Sequence, residues 1–518
     1  MGRNNDTNLW APPVPGLDFD IEGPTADHLI DTSDIYGQTV YEHIHASKEE
    51  WTIVDKSEAI PYLPKRQDPL TVTIGIDNQK TEKLPTFGFI RLDENFKMKR
   101  GFVINAGMSV WGLDFVPKST TCHNSQTQYL AIAGYRGSVE EHTGFDETQP
   151  TGTYKNAIQI WNLNLSTQVP SKSPFMDLCL LHDFGIIHEL KWCPYGAYQE
   201  EAVSENEINK LGILSIVCGD GSIRTVVVPH PDYVRKNMCQ VDLSETVYMK
   251  INQSRCHFQL NTLKPISMAW GGHKKLAIGY ANGTLIIWNM FKALYDKSSC
   301  QAENSRRFIM MSCRPLDAAI RCIAWNGLRD PERILMGGYD GRLLLLDTND
   351  PHVPLLINRA RGIQPNCGWH GHSTMMLHFD NDFIGRGFGF FENGNSSVNR
   401  YGECPGVCWS IATSEHHGQA SMSTAIGWVR SYNIYQVKLR KLLHYNDETD
   451  SYRYLDGFVP QTVEESKKIP SYEQFGDTHM SIQKVVWNPN KPTCAFLASG
   501  GAAGLCRVEF EGRGPKWT

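Results

Sequence analysis

From Pro265 to Met290 the chain reads PISMAWGGHKKLAIGYANGTLIIWNM, and apolar and polar positions alternate through most of it. Ile266, Met268 and Trp270 fall on one side of an extended chain, and Leu276, Ile278 and Tyr280 continue the two-residue period, which predicts two strands. Asn282-Gly283 supplies the positive backbone angles of a tight hairpin turn. The TLIIW that follows is apolar on both faces, as in a strand covered from both sides. Taken alone, this stretch would also suit a hairpin in a sandwich, the less favoured reading.

Repetition narrows the choice. An alternating strand ending in a large aromatic, then an apolar strand, a Gly-containing turn and another apolar strand recur along the chain. VWGLDFVP (110–117) is followed by YLAIAGYRG (129–137) and AIQIWNL (157–163), and IIHELKWCPYG (186–196) by LGILSIVCGDGSIRTVVVP (211–229), turning at Asp220-Gly221. AIRCIAWNG (319–327) precedes RILMGGYDGRLLLLD (333–347), which turns at Asp340-Gly341, and IQKVVWNP (482–489) precedes AFLASGGAAGLCRVEF (495–510). GVCWSIAT with STAIGWVRSYNIYQVKL (406–439) predicts a sixth unit, and STMMLHF with DFIGRGFGFFENG (373–394) a less regular seventh. The expected fold is all-β: a seven-bladed, WD40-like β-propeller, with six or eight blades as the alternatives.

The aromatic anchors Phe115, Trp192, Trp270 and Trp325 stand 77, 78 and 55 residues apart. A compact WD repeat spans roughly 40–45 residues, so the surplus is loop. The long insertions are Ser138–Asn156, Tyr195–Gly212 and about Phe291–Asp317. Strands hold a propeller's scaffold and loops are free to vary, so binding is expected there. Two strand-like runs, FGFIRL and GFVINA, lie between Pro85 and Ala106, and either could complete the last blade and close the ring. The domain reading is therefore a partly extended arm, 1–84, and a propeller, 85–518, that includes its N-terminal closing strand.

Charge sharpens the division. The first 60 residues hold 12 acidic side chains against three basic ones, whereas the other 458 carry a small basic surplus of three. WAPPVPGLDFDIEGPTAD (10–27) is rich in Pro, Gly and Asp and predicts an extended arm, with Trp10, Leu17, Phe19 and Ile21 as anchors to a partner or to the propeller side. No run is long and apolar enough to span a membrane, and 1–10 lacks the regions of a signal peptide, so an intracellular protein with no membrane association is expected. Fourteen scattered cysteines then read as thiols in place of disulfides.

Catalytic chemistry finds little support in the motifs. His370 and His372 form an HxH pair in CGWHGHS, with His378, His416 and His417 further on, but no carboxylate or cysteine stands at a metal-ligand offset. CPGVC (404–408) lacks a second pair and the spacing of a zinc ribbon. No phosphate-binding lysine loop, nucleophile elbow or HExxH helix occurs, and GRGFGFFENG reads as turn glycines. Neither cofactor, metal nor catalytic residue is expected, and the chain reads as a non-enzyme. For nucleic-acid contact the candidates are Arg359 and Arg361 in RAR, and Lys438, Arg440 and Lys441 in KLRK, with KMKR (97–100) as a third basic cluster. Meeting on one face they would give salt-sensitive phosphate affinity, although no groove-entering element accompanies them.

LLHDFGIIHELKWCPYGAYQE (180–200) followed by KLGILSIVCGDGSIRTVVVPHPD (210–232) is much more specific than a generic WD repeat. This pair resembles the corresponding segments in the β-propeller subunit, tau-91 type, of the RNA polymerase III general transcription factor TFIIIC. SVWGLDFVP with YLAIAG, SMAWGG with LAIGYANGTLIIWN, and GVCWSI are similar in order and spacing, so the resemblance covers about 106–510. It implies a non-catalytic nuclear scaffold that pairs with a second propeller subunit and belongs to the module engaging the B-box of tRNA genes. Family members usually carry a long, sometimes basic N-terminal extension, whereas about 85 mostly acidic residues precede the propeller here. The WD dipeptide is also eroded to Trp161-Asn162 and Trp288-Asn289. The alternative from the same fold is a WD scaffold of another nuclear complex, in chromatin or ribosome assembly. The alternative from another class is a propeller enzyme using the His370, His372 and His378 region.

Overall fold

A computed structural model of the chain describes residues 32–511 apart from 67, 75–79, 96–99, 121, 123–125, 138–141, 143, 145–146, 166–171, 201–206, 240–244, 297–301, 372–373, 381–383, 391–395, 404–405, 435–437, 449–450 and 458–477. For 438–448 and 451–457 it describes the backbone alone. The strands form seven sheets, each built on an up-and-down meander from an inner to an outer strand. Blade 1 is Ser109–Phe115, Tyr129–Tyr135, Asn156–Asn162 and Phe175–His182, and blade 2 is Ile187–Trp192, Lys210–Cys218, Ser222–Pro229 and Cys256–Gln259. Blade 3 is Pro265–Gly271, Lys275–Tyr280, Leu285–Asn289 and Ile309–Cys313, and blade 4 is Ile320–Trp325, Arg333–Gly338, Arg342–Asp347 and Asp350–Arg359. Blade 5 is Gly368–His370, Met375–Phe379, Ile384–Phe390 and Ser396–Glu403, and blade 6 is Cys408–Thr413, Gln419–Thr424, Trp428–Asn433 and Lys438–Glu448. In blade 7, Ile482–Trp487, Phe496–Gly501 and Leu505–Phe510 are followed outward by Gly101–Asn105 and Phe89–Arg91.

The inner strands pack in sequence order, and that of blade 7 returns to that of blade 1, so the ring is closed and seven-bladed. GFVINA supplies the fourth strand of the last blade, with Val103 opposite Arg507 and Ile104 opposite Cys506, and FGFIRL adds a fifth beyond it. Phe102, Val103 and Ile104 are wholly buried. Gly101 approaches so closely that a Cβ there would lie 2.0 Å from the Val508 carbonyl oxygen, at a φ of +135°, which explains why this strand begins on a glycine.

Packing of blade 2 on 3 and of blade 3 on 4 uses the tryptophans near the ends of the inner strands of blades 3 and 4. The Trp270 indole donates to the Lys191 carbonyl oxygen of blade 2 (3.2 Å), and the Trp325 indole donates to Ala269 of blade 3 (3.0 Å). Each tryptophan thus satisfies its one polar group while burying its ring between two sheets. The turns expected at Asp220-Gly221, Asn282-Gly283 and Asp340-Gly341 all carry glycines of positive φ. The twelve described cysteines are free thiols.

Several expectations change. Residues 291–317 contain a short helix (Met290–Tyr295) and the outer strand of blade 3, Ile309–Cys313, so they are not a free excursion. The glycines of GRGFGF lie inside a strand of blade 5, not in a turn, and a Cβ on Gly387 would sit 2.4 Å from the Met375 methyl. STAIG holds the end of one strand of blade 6 and its turn, with Gly427 at a φ of +85°. Parts of 32–84, assigned to the arm, are also strands in the sheets: Trp51–Val54 pairs with Val247–Ile251 outside blade 1, and Leu70–Ile74 runs parallel to Ser451–Gly457 outside blade 6. Short alternating runs such as LTVTI have one apolar face to bury, and a sheet edge buries it.

Candidate functional site

Alternation of strand direction puts the loops of every blade on two faces. Loops joining first to second and third to fourth strands lie on one, here the lower face, and the remaining loops on the upper. The arm lies across the lower face. Thr32 hydrogen-bonds His416 of blade 6 (3.4 Å), Asp34 pairs with Arg329 of blade 4 (2.5 Å), and the Val40 amide donates to Gly196 of blade 2 (2.8 Å). Gly196 sits at a φ of +68° and a Cβ there would be 2.4 Å from the Gln38 carbonyl oxygen, so the arm presses on bare backbone. The Tyr41 hydroxyl donates to the His273 carbonyl oxygen, while the Lys210 ammonium group donates to that of Tyr41 (2.9 Å). Lys210 is fully buried, and burial lowers its pKa to about 7.

The central channel holds a cavity of about 340 Å³ whose lining includes Asp114, Glu189, Lys191, Arg321, Trp369 and Lys484. Tyr36 closes its lower end, with Glu415 beside it, and burial pushes the Glu415 carboxyl up to about 7. Inside, Lys484 of blade 7 pairs with Glu189 of blade 2 (2.7 Å), and Lys191 with Asp114 (3.7 Å). Toward the upper end the Arg321 guanidinium lies 5.2 Å from the Trp111 ring centre, and Trp111 meets Trp409 edge-on at 6.4 Å. These inner-strand residues come from different blades and meet only because the ring closes. The carboxylates of Glu189 and Asp114 are held in these two ion pairs.

The described histidines of this group are buried in the packing of the blades. His370, wholly buried, ends the three-residue inner strand of blade 5, while His372 lies outside the described residues. His378 hydrogen-bonds Gln364 (3.0 Å) and Asn358 (3.3 Å), and burial lowers its pKa to about 4. His416 bonds the Pro489 carbonyl oxygen (2.7 Å) and His417 that of Cys494 (3.2 Å). Among the described residues no three His, Cys, Asp or Glu side chains converge to hold a metal ion. Of CPGVC, Cys408 is buried at the start of an inner strand and Cys404 lies outside the described residues.

The backbone places the basic candidates Arg359 and Lys438 at opposite ends of their strands. Arg359 pairs with Arg342 just after the Asp340-Gly341 turn, so Arg359 and the exposed Arg361 lie at the upper end of blade 4. Lys438 pairs with Asn433 at the lower end of blade 6, and blade 5 stands between. Lys438, Arg440 and Lys441 belong to the region where only the backbone is described. Of KMKR, Arg100 is buried and 97–99 lie outside the described residues. The insertion loops divide in the same way. The described part of Ser138–Asn156 docks on the upper face, where the Gln149 side chain accepts from the Ile186 amide (2.8 Å) and the Thr151 hydroxyl donates to Asp220 (2.9 Å). The described part of Tyr195–Gly212 lies on the lower face under the arm.

Sequence reasoning missed the arm's course and the bare edges of the ring. Among the described residues blades 1, 6 and 7 carry added strands at their outer edges, whereas blades 2, 3, 4 and 5 end at their fourth strand. On the edges of blades 3, 4 and 5 Met310, Val353, Leu355, Leu356 and Val398 are about half exposed or more. A large-hydrophobic residue on an outer strand was the available signal, but the alternation that marks a strand is weak in DPHVPLLINR.

These features define a class: a closed seven-bladed β-propeller with an N-terminal segment threaded over its lower face. No protein-family model matches the chain. It is 25% identical over 431 residues to transcription factor tau subunit sfc6 of Schizosaccharomyces pombe, an alignment covering 79% of this chain and 65% of the relative. It is 21% identical over 560 residues to general transcription factor 3C polypeptide 2 of Homo sapiens, covering 89% and 58%. The corresponding protein of Pongo abelii gives the same values. Homologues of this chain are thus TFIIIC subunits, and the chain spans about six-tenths of the length of these curated relatives. A chain in the crystal structure of the mitotic checkpoint complex matches 75% of this chain and 85% of its own length at 10% identity, with a TM-score of 0.44.

Proposed function

We infer that this chain is the propeller subunit of a TFIIIC-type factor and serves RNA polymerase III transcription of tRNA and 5S rRNA genes as a non-catalytic scaffold in the nucleus. The observation that carries this reading is the alignment to tau subunit sfc6 over 79% of the chain. In this reading its partners are other subunits of the factor, among them a second β-propeller and the subunit that binds the B-box. Rigid blades hold several weak contact surfaces in fixed relation, and contacts tied together in this way reinforce one another by raising effective concentration. Promoter DNA is engaged within the complex. Arg359 and Arg361 on one side, and Lys438, Arg440 and Lys441 on the other, are the residues to examine for direct contact, each group acting alone.

The test is affinity purification of the tagged full chain from nuclear extract, followed by depletion of the chain and measurement of new tRNA transcripts. Co-purification of TFIIIC subunits in fixed ratio and a loss of tRNA synthesis are expected. Recovery of histone or pre-ribosomal partners instead, with tRNA synthesis unchanged, would overturn the reading.

A further inference from the structure

Near its upper end, the inner strand of every blade except blade 5 slips by one residue against the second strand. The extra residues are Trp111, His188, Ile266, Arg321, Trp409 and Gln483, in blades 1, 2, 3, 4, 6 and 7. A bulge re-aims the side chain it carries, and its repetition at one height makes a layer of these residues around the channel mouth. Ile266 and Gln483 are buried, and the Gln483 amide donates to the Ser109 hydroxyl (3.4 Å). The other four stay partly exposed. Arg321, Trp111 and Trp409 belong to blades 4, 1 and 6, no two of them adjacent in the ring. Their contacts, at 5.2 Å from guanidinium to Trp111 ring centre and 6.4 Å between the indoles, are therefore made across the channel axis.

This layer lacks partners. Among the described residues the Arg321 guanidinium has neither a hydrogen bond nor a carboxylate within ion-pair distance. The channel carboxylates Glu189 and Asp114 are held by Lys484 and Lys191, and Glu415 lies at the lower end beside Tyr36. The Trp111 indole nitrogen and His188 Nε2 are buried without a hydrogen-bond partner among the described residues, and leaving such atoms unpaired is costly. Burial, with Lys264, Arg321 and His142 nearby, lowers the His188 pKa to about 3, so its ring is neutral at pH 7. Arg321 is thus one permanent cation, held against an indole so that part of its side-chain freedom is already lost. Its planar fork matches one planar carboxylate. A nucleic-acid backbone needs several cations spaced along a surface, and a phosphate dianion would exceed the single free charge here.

We propose that the upper mouth of the channel binds an acidic peptide segment of a partner protein, with one carboxylate paired to Arg321 and a neighbouring apolar side chain packed on Trp409. The site follows from the geometry of the ring and not from the alignment to TFIIIC subunits, so its failure leaves the scaffold function untouched.

The test titrates the full chain, by calorimetry, with the peptide acetyl-Phe-Glu-Phe-amide and its neutral counterpart acetyl-Phe-Gln-Phe-amide. The glutamate peptide should bind at least about tenfold more tightly, as a charge-assisted pair requires. Arg321→Gln should abolish this preference with the thermal midpoint of the ring unchanged, and Arg321→Glu should turn it toward acetyl-Phe-Lys-Phe-amide. Trp409→Ala should weaken both original peptides alike. Equal affinity for the glutamate and glutamine peptides, no binding of either, or a preference that survives Arg321→Gln would each overturn the proposal. Tighter binding of the phosphoserine peptide acetyl-Phe-pSer-Phe-amide, lost in Arg321→Gln, would also overturn it and assign the mouth to a phosphate.

Discussion

Replacing Phe102 by alanine tests whether the N-terminal strand closes the ring in energetic terms. Phe102 lies in the strand Gly101–Asn105, opposite Val508, and is wholly buried in a cluster with Phe115, Leu130, Phe496 and Val508 from blades 7 and 1. Truncating a buried phenylalanine removes its transfer free energy and leaves a cavity, which together cost about 3–5 kcal/mol. A whole domain is stable by only about 5–15 kcal/mol, so one side chain far upstream holds a large fraction of the margin. Denaturant titration of the full chain, read by tryptophan fluorescence, should show the midpoint falling with the slope unchanged. Leu356→Ala, on the exposed rim, loses little burial and serves as the control, with an effect within about 0.5 kcal/mol. A Phe102→Ala midpoint no lower than that of the control would refute the argument that this strand locks the first and last blades together.

Three further outcomes follow from named contacts. Trp325→Phe removes the indole donor to Ala269 and should cost about 1 kcal/mol, whereas Trp325→Ala should cost about 3–5 kcal/mol by emptying the space between blades 3 and 4, both measured by equilibrium unfolding. Gly196→Ala forces a Cβ toward the Gln38 carbonyl oxygen, so limited proteolysis should cut between 37 and 46 faster than in the unaltered chain; an unchanged cleavage rate would show that the arm does not depend on this contact. Burial depresses the Lys210 pKa from 10.5 to about 7, so the unfolded chain binds one more proton than the folded chain between those values. Stability should therefore rise as pH increases from about 7 toward 10.5, and Lys210→Met should flatten that rise; an identical pH slope in the two proteins would contradict the buried-lysine reading.

What the sequence determined by itself was the inner part of each blade. Two-residue periodicity and glycine turns are local properties, and the inner three strands are apolar on both faces because blades cover them on both sides, so VWGLDFVP, IIHELKWCPYG and their repeats could be read directly. Blade 5 was harder because its inner strand, Gly368–His370, has only three residues and its third strand, Ile384–Phe390, uses glycine to admit Met375. The tertiary structure decided most of the outer strands, since an edge position demands little of its side chains and accepts prolines, as in Asp350–Arg359; for the last blade the sequence offered FGFIRL or GFVINA, and the structure gives GFVINA the fourth place and FGFIRL the fifth. It alone decided the channel and the arm's path as well. Lys484 and Glu189, Asp34 and Arg329, and Thr32 and His416 are each about 300 residues apart or more, and no local pattern encodes a contact that exists only once the ring has closed.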